Sequence, residues 1–107
     1  MMKRVRRVRL DPIFASTSYR CRYCHRDLLA DVDLFVGKVR DHFHPASLGG
    51  ADGDANRVPS CAACDRLKGS RQFGTVEEAR EFLAAQRAGW QRRVEQIRLA
   101  IGGQSDG

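Results

Sequence analysis

The stretch DHFHPASLGGADGDANRVPSCAACDRLK, residues 41–68, decides the fold. It contains a Cys-x-x-Cys pair near its end, Cys61 and Cys64, and a second such pair, Cys21 and Cys24, lies upstream. Four polar residues with ionisable or amide side chains lie in the same stretch: Asp41, His42, Asn56 and Asp65. Two half-sites for one metal ion therefore bracket an acid, a histidine and an amide, and a second acid follows directly.

The four cysteines predict a closed metal site. Four thiolates around Zn²⁺ form a standard structural site that leaves no open position for water. Residues 25–60 separate the two pairs, a longer gap than the roughly 15 to 20 residues of a zinc ribbon, so a folded segment must occupy it. Disulfides are the alternative, but they are rare in the cytosol. His25 adjoins Cys24 and is left out, because the two pairs already complete a four-coordinate site.

Length and charge indicate one small basic domain. The 107 residues carry a net charge of +6 and the pI is near 9.7. This balance favours a polyanionic partner, nucleic acid before an anionic membrane, since no apolar anchor accompanies the charge. No signal peptide is recognisable, and no apolar run approaches the roughly 20 residues that a membrane span needs. We therefore expect a cytoplasmic protein with no membrane partner.

Residues 1–20 are predicted to form a basic N-terminal arm. Residues 3–10 read KRVRRVRL, and Pro12 then interrupts the pattern. Such an arm could lie along a phosphate backbone. The alternative is a frayed terminus or a charged edge strand.

Short elements are predicted around the motif. Apolar residues within 34–43 predict two short strands, with Gly37 and Lys38 as the turn of a bulged hairpin. Three elements are then expected in chain order: a loop over 45–54, a strand over 57–60 and a short helix over 62–70.

A long helix is predicted over residues 75–101, followed by a disordered tail at 102–107. Thr75 and Glu78 fit a capping box at its start. Gly89 costs about 1 kcal/mol relative to alanine and marks a position for a kink. Apolar residues recur at helical spacing: Val76, Ala79, Leu83, Trp90, Val94, Ile97 and Ile101. This stripe is expected to pack on the metal module as core, and a dimer seam is the alternative.

The polar residues of the motif could together hydrolyse a phosphodiester. A neutral imidazole, with a reference pKa of about 6.5, can take a proton from water near neutral pH, and His42 would do so if Asn56 fixed its tautomer. Carboxylates of Asp41 and Asp65 could hold a hard divalent ion at the scissile phosphate. Asn56 could instead cap a turn, and His44 is expected in a loop rather than as a second base.

At these residues the sequence resembles the HNH nuclease family, which has the ββα-metal fold. The family pattern is a Cys-x-x-Cys pair, Asp/Glu-His, a Pro-x-Ser-x-Gly-Gly loop, Asn, a second Cys-x-x-Cys pair, His or Asn, and Lys. Residues 21–70 match it at these positions: Cys21, Cys24, Asp41, His42, Pro45, Ser47, Gly49, Gly50, Asn56, Cys61, Cys64, Asp65 and Lys68.

The resemblance implies a metal-dependent endonuclease that cuts DNA to leave 5′-phosphate and 3′-hydroxyl ends. His42 would be the general base, Asn56 would orient it, and Asp41 and Asp65 would bind a catalytic Mg²⁺ or Mn²⁺. Aspartate at position 65 is a departure, since the family commonly has His or Asn there, and it bears on the identity of the metal. Lys68 could contact phosphate or simply face solvent.

The expected architecture is an α+β protein. A small zinc-stabilised ββα-metal (HNH) module at residues 21–74 would lie between the N-terminal arm and the C-terminal helix. A non-catalytic zinc-knuckle DNA-binding module is the alternative function, and an interaction protein that uses the Trp90 face of the helix is a third. The sequence predicts neither the DNA specificity nor whether the protein is a monomer or a dimer.

Overall fold

The computed structural model describes residues 7–104, apart from the side chain of Gln104. Residues 1–6 of the predicted arm and residues 105–107 of the predicted tail lie outside this range. None of the helices in the described part of the chain has the length and apolar character of a membrane-spanning segment.

The chain is a small α+β protein, which confirms the coarse part of the predicted fold class. A loop with two short 3₁₀ turns, Ala46–Leu48 and Asp54–Asn56, joins its two strands. The strands pair antiparallel, with Val39 opposite Ser60 and His42 opposite Arg57. The elements in chain order are α1 (Pro12–Ala15), α2 (Val32–Val36), β1 (Val39–His42), β2 (Arg57–Ser60), α3 (Ala62–Lys68) and α4 (Val76–Gln104).

The hairpin predicted within residues 34–43 is wrong, because its first half is the helix α2. Asp31 caps this helix, and its carboxylate accepts a hydrogen bond from the Leu34 N–H at 2.7 Å. This local cap favours a helix in a segment whose apolar spacing fits neither the helical nor the strand period well. The strand that begins at Val39 pairs instead with β2, on the far side of the loop. The predicted strand at 57–60 and the predicted helix after Cys61 are both confirmed.

Residues 11–20 pack with the rest of the module. Asp11 caps α1 by accepting a hydrogen bond from the Ile13 N–H at 2.9 Å. Phe14 is buried in the core, and the Tyr19 ring stacks on it with centroids 5.7 Å apart. The Tyr19 hydroxyl also accepts a hydrogen bond from the Asp11 N–H at 3.0 Å. This part of the predicted arm is therefore held in place, while residues 7–10 are exposed.

Helix α4 is longer than the predicted range and runs without a break through Gly89 to Gln104. Residues 102–104, predicted to be disordered, continue the helix. The predicted cap at its start is present, since the Glu78 N–H donates to the Thr75 hydroxyl at 3.1 Å. Ala79 and Leu83 are buried, whereas the apolar stripe from Trp90 onward is exposed. Only the first half of the stripe therefore packs as core.

Candidate metal centre and the adjoining acidic cleft

The four cysteine sulfurs converge on one point in the core. Their Sγ atoms all lie within 4.8 Å of one another, and none of the four cysteines forms a disulfide. The sulfurs of Cys24 and Cys61 are 3.8 Å apart. Tetrahedral zinc with bonds of about 2.3 Å requires sulfurs about 3.8 Å apart. The cluster Cys21, Cys24, Cys61 and Cys64 could therefore hold a structural metal such as zinc.

Two different local structures deliver the cysteine pairs. The first pair lies on a turn in which the His25 N–H donates to the Cys21 carbonyl at 2.9 Å, and His25 adopts a left-handed backbone conformation with a φ of 62°. In the second pair Cys61 caps α3, because its sulfur accepts a hydrogen bond from the Cys64 N–H at 3.3 Å. Both turns aim their sulfurs inward, and His25 stays outside the cluster.

Crowding changes the acidity of the thiols. Hydrogen bonding from the Cys24 thiol lowers the pKa of Cys21. Hydrogen bonding with the Cys21 sulfur raises the pKa of Cys24 and of Cys64. Negative charges this close oppose one another's ionisation unless a cation balances them. A divalent metal would supply that balance and allow all four sulfurs to bind as thiolates.

Arg87 supplies a positive charge to this cluster, and sequence reasoning missed it. It projects from α4, one turn after the buried Leu83, and its Nη2 donates to the sulfurs of Cys64 at 3.1 Å and Cys61 at 3.4 Å. The hydrogen bond to Cys64 raises the pKa of Arg87. A metal with four thiolates carries a net charge of about −2, so the guanidinium offsets part of it. The only sequence signal was an arginine on the inward face of the helix.

Replacing Arg87 by leucine is expected to weaken metal binding by about 10- to 100-fold, because outer hydrogen bonds to metal ligands contribute on that order. Zinc affinity measured by competition with a chelating dye checks this. Arg92→Leu is the matched control, since Arg92 is an exposed arginine of the same helix. Equal zinc affinity in the two variants would contradict a role for Arg87 at the cluster.

A cleft of about 260 Å³, lined by two aspartates, lies beside the cysteine cluster. Asp41, on β1, is buried, and its Oδ2 accepts a hydrogen bond from the Tyr23 hydroxyl at 2.6 Å. Asp65, in the first turn of α3, is half-buried against it. Burial raises the pKa of Asp65, and the negative charge of Asp41 raises it further. The residues around the cleft include Asp41, His42, Pro45, Ser47, Asp65 and Gly69.

Lys68 is neither a phosphate contact nor a solvated side chain, so both predicted alternatives are wrong. It is 1% exposed, and its Nζ lies 3.2 Å from Oδ2 of Asp41. The same ammonium donates to the main-chain carbonyl of His42 at 3.3 Å. A buried charge needs such partners, because desolvation without them costs several kcal/mol, on the order of a small domain's stability. Lys68 therefore ties α3 to the end of β1.

His42 reaches the cleft, and it has a partner that sequence reasoning missed. Its Nε2 lies 2.9 Å from Oδ1 of Asp52, a carboxylate in the glycine-rich loop. The Arg57 guanidinium donates to the same oxygen at 2.9 Å. These two neighbours lower the pKa of Asp52. The signal available in the sequence was an acid inside the loop, but nothing there indicated which histidine it would meet.

The side chain of Asn56 hydrogen-bonds the loop backbone rather than the His42 ring. Its Oδ1 accepts from the His44 N–H at 2.8 Å, and its Nδ2 donates to the carbonyls of His44 at 2.9 Å and Ala51 at 2.7 Å. The predicted direct orientation of the imidazole is therefore replaced by a clamp on the backbone two residues beyond it. His44 itself lies in the loop, as expected, with its ring edge-on to Phe43 at 5.0 Å.

The two glycines of the loop are needed for different reasons. A Cβ on Gly50 would lie 1.8 Å from the His44 carbonyl oxygen, which no side chain can tolerate. Gly49 has a φ of 87°, a conformation that L residues rarely adopt. Both positions therefore require glycine, which agrees with the motif.

The structure thus brings Asp41, His42 and Asp65 to one cleft, whereas Asn56 binds the loop backbone at His44 and Ala51. Comparison with protein-family models, with curated proteins and with solved structures gave no match.

Proposed function

We propose that this protein is a metal-dependent endonuclease of the HNH type that hydrolyses phosphodiester bonds in DNA. The observation that carries the proposal is the cleft, which is lined by His42 and Asp41 of β1 and by Asp65 of α3. Those three groups are the ones that such hydrolysis needs: a base for water and hard oxygen ligands for a divalent ion.

His42 is the proposed general base. With Asp52 beside Nε2, the tautomer that donates from Nε2 leaves Nδ1 as the proton acceptor for the attacking water. Asn56 acts indirectly, since it fixes the chain where it leaves β1. The imidazole would thereby be held at a constant position relative to the carboxylates.

Asp41 and Asp65 are the proposed ligands of Mg²⁺ or Mn²⁺, and their chemistry fits a hard cation. Tyr23 and Lys68 both bond Oδ2 of Asp41, which leaves Oδ1 for an ion. The two carboxylates outnumber the single ammonium of Lys68, and the Arg40 guanidinium at the cleft is paired with Asp11. A divalent cation would balance the remaining negative charge. When bound, the ion would stabilise the charge that develops on the leaving 3′-oxygen.

The cysteine cluster is proposed to hold Zn²⁺ in a structural role, because four sulfurs leave no position for water. Reduced thiols of this kind favour a cytoplasmic location. DNA is the proposed substrate, and the net charge of +6 supports a polyanionic partner. Cleavage is proposed to leave 5′-phosphate and 3′-hydroxyl ends, as in the family that the motif resembles.

A supercoiled-plasmid assay across Mg²⁺, Mn²⁺, Ni²⁺, Zn²⁺ and EDTA tests the proposal. We expect nicked circles with Mg²⁺ or Mn²⁺, loss of nicking with EDTA, and its return when Mg²⁺ alone is added back. Zinc content is measured in each sample, so that loss of the structural metal is distinguished from loss of the catalytic one.

The alternative is a non-catalytic zinc-knuckle module that only binds DNA. The observation that favours it is the Lys68–Asp41 ion pair, which already balances part of the charge in the cleft. The plasmid assay decides between them: DNA binding without nicking in any divalent metal would contradict the nuclease and support the binding module.

A further inference from the structure

The exposed half of α4 carries a continuous apolar seam. We call the residues Trp90, Val94, Ile97 and Ile101 the α4 seam, and each of them is 42–59% exposed. Their spacings of four, three and four residues are those of the a and d positions of a heptad repeat. An apolar seam at this spacing is typical of a surface that packs against another helix.

We propose that the α4 seam pairs with the same seam of a second copy of the chain, with the two helices antiparallel. In this register Trp90 packs against Ile101 of the second copy, and Val94 packs against Ile97. The pairing is symmetric about the middle of the seam, so each contact occurs twice.

The charges beside the seam select the antiparallel direction. In a parallel pair the flanking Arg93 would lie next to Arg98 of the other helix, and the two positive charges would repel. In an antiparallel pair Arg98 lies beside Gln91 of the second copy, and Arg93 lies beside Ala100. Only the antiparallel arrangement therefore avoids opposing like charges across the seam.

A groove between α3 and α4 also favours a second copy of the chain as the partner. It has a volume of about 670 Å³ and begins where the seam begins, at Trp90 and Val94. Its floor is apolar, with Ala63 and Leu67, and the arginines Arg26 and Arg66 line it as well. Antiparallel pairing brings the C-terminal end of the second copy's α4 to this groove. That end of a helix carries a partial negative charge, so it complements the arginines.

The length of the α4 seam sets the expected affinity of the dimer. Two heptads bury less than the roughly 800 Å² per partner of a standard interface. We therefore expect a weak dimer, with a dissociation constant on the order of 10⁻⁵ M. The inference is independent of the proposed nuclease activity, because association is measured without DNA or catalytic metal.

Sedimentation equilibrium of the zinc-loaded full chain from about 1 to 200 μM tests the proposal. We expect reversible dimerisation of the wild type and at least tenfold weaker association of Ile97→Glu. Leu99→Glu is the matched control, since Leu99 is 77% exposed on the same helix but lies outside the seam. A wild type that is monomeric throughout, or equal effects of the two substitutions, would overturn the proposal. Circular dichroism and zinc content verify that both variants are folded.

Two further variants test the direction of pairing. Ala100→Glu places a carboxylate beside Arg93 of the second copy only if the helices are antiparallel, and two such pairs should lower the dissociation constant about fourfold. Arg93→Glu should tighten a parallel dimer by pairing with Arg98 and leave an antiparallel one nearly unchanged. Tighter association of Arg93→Glu with no gain for Ala100→Glu would overturn the antiparallel arrangement.

Discussion

Replacing His42 by alanine is expected to lower the rate of plasmid nicking by about 10²–10⁴-fold, the contribution typical of a positioned general base. The fold should survive the change. Lys68 donates to the main-chain carbonyl of His42, and the main chain of His42 pairs with Arg57 between the strands. Both main-chain contacts remain when the side chain is alanine. Zinc content, circular dichroism and DNA affinity should therefore match the wild type while nicking is lost.

His44→Ala is the matched control for this prediction. His44 is two residues away, and Asn56 holds only its main-chain atoms, so its side chain can be removed without releasing the loop. We expect near wild-type nicking. Full activity of His42→Ala, or an equal loss in both variants, would contradict the assignment of His42 as the base.

Replacing Cys64 by serine is expected to unfold the module. Cys64 is buried among the other three thiols, and a serine hydroxyl is a poor ligand for zinc. Structural zinc contributes roughly 10–16 kcal/mol in zinc-finger peptides, which is as large as the entire stability of about 5–15 kcal/mol of a typical domain. Loss of bound zinc and loss of the cooperative thermal transition, followed by circular dichroism, check the prediction.

Ala63→Ser controls for the serine itself. Ala63 precedes Cys64 on α3 and is exposed, so the same hydroxyl added there should leave zinc content and the thermal midpoint nearly unchanged. If Cys64→Ser kept the wild-type midpoint, the sulfur cluster would not be the main source of stability.

Short-range features of this protein are predictable from the sequence, because they depend on neighbouring residues. The cap at Thr75 and the helix that starts from Cys61 both follow from side chains within three residues of the atoms they bond. The wrong prediction at α2 has the same origin, since Asp31 gives a cap signal that the apolar residues after it obscured.

The contacts that the sequence did not predict join residues far apart in the chain. Arg87 meets the sulfur of Cys64 from another helix, and Lys68 of α3 meets Asp41 of β1. His42 finds Asp52 only because the loop folds back. Many residues could pair with each of these side chains, and tertiary packing determines which partner is close enough to do so. The cysteine pairs are the exception, since metal binding restricts four sulfurs to one geometry.

The Lys68–Asp41 pair also bears on how the protein would behave when magnesium is scarce. The Lys68 side chain offsets part of the negative charge at the end of β1 without a cation from solution. We therefore expect the chain to stay folded without magnesium and to lose only the proposed cleavage activity, reversibly. The two proposed metals would then have separate roles: zinc would be needed for folding, and magnesium only for cleavage.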